Sequence, residues 1–220
     1  MKRSLAPRLS AVGEGALLME APGSLRLSVQ QRIWALAELV PDWPCVTDVV
    51  LGMTNLLVLF DPQGTDGATL GARLVKAWEQ TPPRARAGRV VDIPVTYGGE
   101  MGADLPYVAE RAGLTIDEVV RLHATASLTV YALGSSPGFA YLGGIPEAIF
   151  TPRRAVPIAR AAGRSVMIGG SQTGVSWAAG PTGWHVIGRA SIDVFDLAND
   201  PPALLEPGDI VRFRVEQVIT

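Results

Sequence analysis

The stretch "EPGDIVRFRVEQV", residues 206–218, decides how this chain folds. From Ile210 onward apolar and charged residues alternate. Val211, Phe213 and Val215 fall on one side and Arg212, Arg214 and Glu216 on the other. A period of two is that of a half-buried strand, and Pro207-Gly208-Asp209 supplies the turn that starts it. Working back along the chain, "VVDIPVTY" (90–97), "TVYAL" (129–133), "SVMIGG" (165–170), "WHVIGRA" (184–190) and "SIDVFDL" (191–197) read as further strands. Many short strands punctuated by Gly and Pro predict a closed or nearly closed barrel. Two short helices interrupt the series. Asp104 caps the first, which stops at Gly113, and a Thr115–Glu118 capping box opens the second, "TIDEVVRLH".

Ahead of these strands the pattern changes. "GALLMEA" (15–21) is a strand, and "SVQQRIWALAELV" (28–40) sets Val29, Ile33, Leu36 and Val40 at helical spacing before Pro41 and Pro44. "VTDVVLGMTNLLVLFD" (46–61) makes two strands around a turn at Gly52–Asn55. "TDGATLGARLVKAWEQ" (65–80) is a helix with Leu70, Leu74 and Trp78 on one face and Thr65 or Asp66 as N-cap. This order predicts a small ferredoxin-like α/β layer. "TPPRARAGR" (81–89) has no apolar periodicity and marks a boundary, so an α+β chain is expected with domains at 1–88 and 89–220.

Composition excludes several classes. Of 220 residues 48% are hydrophobic and 18% charged, with a net charge of −2, which describes a globular chain without an electrostatic footprint for nucleic acid or anionic membrane. Cys45 has no second cysteine to pair with, and two histidines in no metal-ligand spacing predict no metal site. "MKRSLAPRLS" lacks the apolar core of a secretory signal, and no apolar run approaches membrane-spanning length, so a cytoplasmic location is expected.

Two glycine-rich stretches are the candidates for chemistry. "LGSSPGFAYLGG" (133–144) holds Pro137, Gly138, Phe139, Tyr141, Gly143 and Gly144: glycines that admit a ligand to the main chain, and aromatics that can wall a pocket. A plain connection between strands explains the same composition. "GGSQTG" (169–174) offers Gln172 and Thr173 as neutral donors and acceptors, or else is a polar hairpin turn. Arg153 and Arg154 in "TPRR" can grip a carboxylate or lie solvated at the surface. His123, at a helix end, is the general acid/base candidate by residue type, with capping as its alternative. His185 reads as a wall residue, and Glu100 and Asp104 as turn carboxylates that orient or cap.

In these residues the chain resembles the 5-oxoprolinase B-subunit family, also called allophanate hydrolase subunit 1 or Kip-type kinase inhibitor. The resemblance is carried by "YGGEMGADL", "VVRLH", "LGSSPGFAYLGG", "TPRR", "GGSQTG", "GW" with "IGR", and "LLEPGDIVRF", in the family's order, and by "NLLVLFDP" near the start. It implies a cyclophilin-like β-barrel behind a small α/β domain. It also implies ATP, with Mg, as co-substrate in opening 5-oxoproline to glutamate, with the ATP site on this chain or shared with partners. The implied partners are a homologous second chain, of the 5-oxoprolinase C-subunit or allophanate hydrolase subunit 2 type, and a third of LamB/YcsF type. Under that reading Gln172 and the N–H groups near Gly138 and Gly144 face the amide. Arg153 or Arg154 takes the carboxylate, His123 moves the proton, and Pro137, Phe139, Tyr141, Gly143, Thr173 and Trp184 complete the pocket. Two other branches of the family imply a non-catalytic regulator of a histidine kinase, or a carboxyltransferase-type subunit of urea metabolism whose biotin carrier is another chain. Ser135-Ser136, Ala140, Ser171 and His185 depart from the family's usual residues.

Overall fold

The structure, a computed structural model, describes residues 6–220. Residues 1–5, the basic start of the chain, lie outside the described residues. Two units divide the chain, Met1–Arg86 and Ala87–Thr220.

The first unit runs β1 (Arg8–Ala11), β2 (Ala16–Glu20), α1 (Leu27–Leu39), β3 (Val46–Leu51), β4 (Asn55–Phe60) and α2 (Gly67–Gln80). Its antiparallel sheet has the order β1-β2-β4-β3. Leu17, Met19, Leu56 and Val58 alternate onto one face and meet Ile33, Leu36, Leu70, Leu74 and Trp78 from the two helices. The run β2-α1-β3-β4-α2, with β4 between β2 and β3, is ferredoxin-like. The slot beside β2 is filled by β1, which precedes it, instead of a strand following α2. "RLSA" is too short and too exposed for its pattern to announce this strand. Asp66, not Thr65, caps α2: its carboxylate accepts from the Thr69 N–H at 2.8 Å.

The second unit contains β5 (Val90–Gly98), α3 (Leu105–Ala112), α4 (Ile116–Ala124), β6 (Leu128–Leu133), β7 (Ala140–Gly143), β8 (Ile158–Ala161), β9 (Ser165–Gly169), β10 (Gln172–Val175), β11 (Gly180–Thr182), β12 (His185–Ala190) and β13 (Ile210–Ile219). Seven strands close a barrel in the order β10-β7-β6-β13-β5-β12-β9, with β9 pairing back onto β10, and β8 and β11 form a separate two-stranded ribbon. Ile93, Val95, Val130, Leu142, Ile168, Val175, Ile187, Val211 and Phe213 belong to one core with Leu105, Val108, Val119 and Val120 of the helices. The capping box of α4 is present on both sides: Thr115 N–H donates to Glu118 at 2.8 Å and Glu118 N–H to Thr115 Oγ1 at 3.2 Å. Among the described residues no helix is long and apolar enough to cross a membrane.

The strand that announced the barrel is anchored at its start by Asp209. This buried carboxylate accepts from the N–H of Arg89 at 2.8 Å, the Arg89 guanidinium at 3.0 Å and the N–H of Glu206 at 3.0 Å. Val215 keeps the alternation of Val211 and Phe213, pairing with Val95 as they pair with Val91 and Ile93, but is 47% exposed, just before the register with β5 shifts between Val215 and Gln217. One expectation needs correction. "SIDVFDL" is no strand and keeps a single bridge, Phe195 with Ala203. Asp196 instead takes the N–H of Ala198 at 2.9 Å into a local turn.

Candidate functional site

Along β7, β9 and β10 every second residue points out of the barrel, and on the outside these strands carry Tyr141, Met167, Gly169 and Gly174. The two glycines leave bare backbone onto which aromatic rings settle. A Cβ on residue 169 would lie 2.5 Å from the Trp184 indole, and one on residue 174 would lie 3.0 Å from the Phe139 ring. Phe139, Tyr141 and Trp184 meet edge to face, with centroids 4.9, 5.6 and 5.9 Å apart. Together with Met167 they wall a recess of about 360 Å³ on the barrel's outer surface. Arg153 stands at this recess, its guanidinium over the bare backbone of Gly183. Ser135, Ser136, Ser176 and Thr182 supply hydroxyls. A slot walled by rings, with polar surface almost equal to apolar and one cation, suits a small, flat, anionic ligand. No carboxylate and no histidine lines it.

The neighbouring arginine faces elsewhere. Arg154 pairs with Asp104, and the same carboxylate accepts from Val186 N–H at 2.8 Å. Asp104 therefore begins α3 without capping it through its side chain; its carboxylate ties that helix to "TPRR" and to β12. Arg154 N–H donates to the Gly183 carbonyl at 2.7 Å, which fixes the backbone between the two arginines. His185 is a wall residue: it stacks on Tyr107 with centroids 4.8 Å apart and donates from Nε2 to the Pro152 carbonyl at 3.0 Å. Burial holds its pKa below the ordinary value.

His123 is not placed to move protons to a ligand. It reaches from α4 into the barrel, fully buried, and stacks on Phe213 at 4.7 Å. Nδ1 lies 2.8 Å from the Tyr97 hydroxyl, and Nε2 lies 2.8 Å from Thr173 Oγ1. Thr173 spends its own proton on the Met167 carbonyl, also at 2.8 Å, so Nε2 must carry the imidazole hydrogen. Tyr97 then donates to Nδ1. Every donor in this chain of hydrogen bonds is satisfied with the ring neutral, and burial pushes the His123 pKa down to about 3. Burial also pushes the Tyr97 phenol up. The proton-transfer role expected of His123, and the ligand contact expected of Thr173, give way to a polar tie across the barrel interior.

Of the other expected site residues, Phe139, Tyr141, Arg153 and Trp184 come together at the recess. Residues 139–144 and 169–175 are neighbours because β7 and β10 pair, with Gln172 opposite Gly143. Gln172 points outward on β10 but does not line the recess. Gly138 and Gly144 do not present N–H groups to it: their left-handed backbones press against Phe195 and the Ser127 carbonyl. Gly143 lies beneath the Tyr131 ring, and Pro137 is exposed outside the recess. The hydroxyls and Met167 escaped sequence reasoning, although Ser135-Ser136 lies inside the glycine-rich stretch 133–144. Among the described residues no three His, Cys, Asp or Glu gather as metal ligands.

The profile of the carboxyltransferase domain, subdomains C and D, matches residues 7–205. This chain belongs to that family. Among family members it is 43% identical over 208 residues to the 5-oxoprolinase B-subunit of Escherichia coli O157:H7, covering 94% of each chain. It is 32% identical to the 5-oxoprolinase B-subunit of Bacillus subtilis (strain 168), covering 94% of this chain and 91% of that one. Among solved structures it resembles TTHA0988 with a TM-score of 0.77 and 33% identity, over 94% of this chain and 41% of that longer one. The Kluyveromyces lactis urea carboxylase shares the fold, with a TM-score of 0.81 at 18% identity over 97% of this chain and 22% of that one.

Proposed function

We propose that this chain is one subunit of a 5-oxoprolinase-type lactam hydrolase, and that its recess binds 5-oxoproline as half of a site completed by a homologous subunit. The observation that carries this reading is the lining of the recess. Phe139, Tyr141 and Trp184 flank a flat ring, Arg153 is the carboxylate anchor, and the hydroxyls of Ser135, Ser136, Ser176 and Thr182 are at hand for the amide. The same recess lacks any side chain that exchanges a proton near neutral pH. A pocket that can hold the substrate but cannot activate water fits a protein whose acid/base groups come from elsewhere. The relatives named as 5-oxoprolinase B-subunits support membership of a complex of more than one subunit. A LamB/YcsF-type third subunit and a cytoplasmic setting complete the reading.

ATP enters as co-substrate, supplying the phosphoryl group that turns the lactam oxygen into a leaving group. The recess does not fit ATP: a single guanidinium faces it, without the cluster of cations or the glycine-lysine loop that holds a polyphosphate. This chain's own part is to hold the ring between aromatic walls, to fix the carboxylate at Arg153 and to exclude water from one side. Reconstitution tests it. Purified chain should bind 5-oxoproline, seen as a change in Trp184 fluorescence, yet release no glutamate with MgATP. Glutamate should appear only on adding the partner subunits. Turnover by the isolated chain, or binding unaffected by Arg153→Gln, would refute the half-site.

A further inference from the structure

A second cavity, of about 810 Å³, more than twice the volume of the recess, lies against β8 and shares Ala161 with it. Its charged lining is Glu100, Asp104, Arg154, Arg160 and Arg189. Asp104 is committed to Arg154 and to the Val186 N–H. That leaves one carboxylate, Glu100, against two guanidinium groups, and neither Arg160 nor Arg189 has an ion-pair partner among the described residues. The Nε atoms of Arg154 and Arg189 are buried and donate to no acceptor. A buried guanidinium N–H without an acceptor is costly, and such groups are held in place where an anion supplies the missing oxygens.

We propose that this cavity binds a phosphate-class oxyanion, a di- or triphosphate chain, with Arg160 and Arg189 as its ligands. Guanidinium presents a planar fork of donors that matches phosphate oxygens in pairs. Two such forks in a cavity this large exceed what a small monocarboxylate needs, whereas successive phosphates engage both. Arg154 is neutralised by Asp104, but its buried Nε–H, which has no acceptor, remains a donor at the edge of the site. The recess and this cavity then lie side by side, one walled by aromatic rings and the other a mostly apolar cavity with its guanidinium groups in excess, sharing Ala161 of β8. The oxyanion site stands apart from the lactam reading, since failure of 5-oxoproline to bind in the recess leaves it untouched.

Isothermal titration of the full chain with pyrophosphate is the test. One saturable site is expected, weakened about tenfold by Arg160→Gln and again by Arg189→Gln, the loss of a charge-assisted pair in each case. Arg214→Gln, which removes an exposed guanidinium hydrogen-bonded to Asp92 on β5, should leave it unchanged. Arg160 is exposed on the ribbon, so its variant reports even where Arg189→Gln fails to fold. Absence of saturable binding, equal weakening by Arg214→Gln, or glutarate binding as tightly as pyrophosphate would each overturn the proposal.

Discussion

Replacing Thr173 with valine separates the structural reading of His123 from a catalytic one. The substitution keeps nearly the same volume and removes one hydroxyl. In the folded barrel that hydroxyl accepts from His123 Nε2–H and donates to the Met167 carbonyl, both at 2.8 Å and both buried. Its loss leaves one donor and one acceptor without partners, each costing about 1–3 kcal/mol. The carbonyl retains its second lone pair, so a total of about 2–4 kcal/mol is expected, a large part of the roughly 5–15 kcal/mol that holds a typical domain together. Thr173→Ser keeps the hydroxyl and loses only a methyl, which costs about 1 kcal/mol. Urea denaturation followed by circular dichroism should rank wild type above serine above valine. Binding of 5-oxoproline at low temperature, where all three are folded, should be the same. If valine instead unfolds at the wild-type urea concentration while turnover by the reconstituted complex collapses, the chain Tyr97–His123–Thr173 is a proton path and the reasoning fails.

Three further outcomes follow from the same geometry. Because His123 has its pKa lowered to about 3 in the fold, the unfolded chain takes up a proton below pH 6.5 while the folded chain does not. The contribution of His123 to stability is therefore full well above pH 6.5 and is lost, roughly tenfold in the folding equilibrium per pH unit, as the pH drops toward 3; His123→Gln should remove that part of the slope from urea midpoints measured between pH 6.5 and 4.5. Gly169→Ala forces the Trp184 indole off its seat, at a cost of about 1–3 kcal/mol, and should shift the Trp184 emission and weaken lactam binding. A normal emission spectrum in that variant would show that the ring does not rest there. Arg153→Gln and Arg154→Gln should diverge: the first loses binding with an unchanged melting temperature. The second loses about 2 kcal/mol of stability, because Asp104 is left half-buried without its cation. Equal melting temperatures would contradict the assignment.

What the sequence made legible follows from how locally each feature is specified. The capping box at Thr115–Glu118 and the stripe of Leu70, Leu74 and Trp78 depend on neighbours within one or two helical turns, and both stand in the structure as read. The inner face of β13 could be read only as far as the register shift, because a bulge is imposed by the partner strand and leaves no mark on its own residues. Strands β7 and β10 hid inside their glycine-rich motifs for a related reason. Gly143, Gly169 and Gly174 are strand residues left bare so that Tyr131, Trp184 and Phe139 can lie on them. Composition alone gives those positions the look of a loop that approaches a ligand. The aromatic members of the site were found because an aromatic beside glycines signals a wall in either case.

His123 shows the opposite error and explains the character of the site. Residue type alone marks a histidine as the proton carrier, yet type says nothing about access, and this one is sealed between Phe213, Tyr97 and Thr173. With it removed from the chemistry, the recess on the outer wall is lined by groups that hold: three rings, one of them the Tyr141 phenol, the Met167 thioether, a guanidinium and four aliphatic hydroxyls. Holding without proton transfer is sufficient for a subunit that meets its catalytic partner across the mouth of the recess, and insufficient for an enzyme acting alone. The exposed outer position of the recess agrees with this, since an interior cavity would leave no face for a second chain to complete. The proposed half-site carries a particular demand: its walls must be rigid before a partner arrives, so that assembly need not order them. Bare glycine backbone beneath Trp184 and Phe139 meets that demand by leaving the rings no room to sink or tilt.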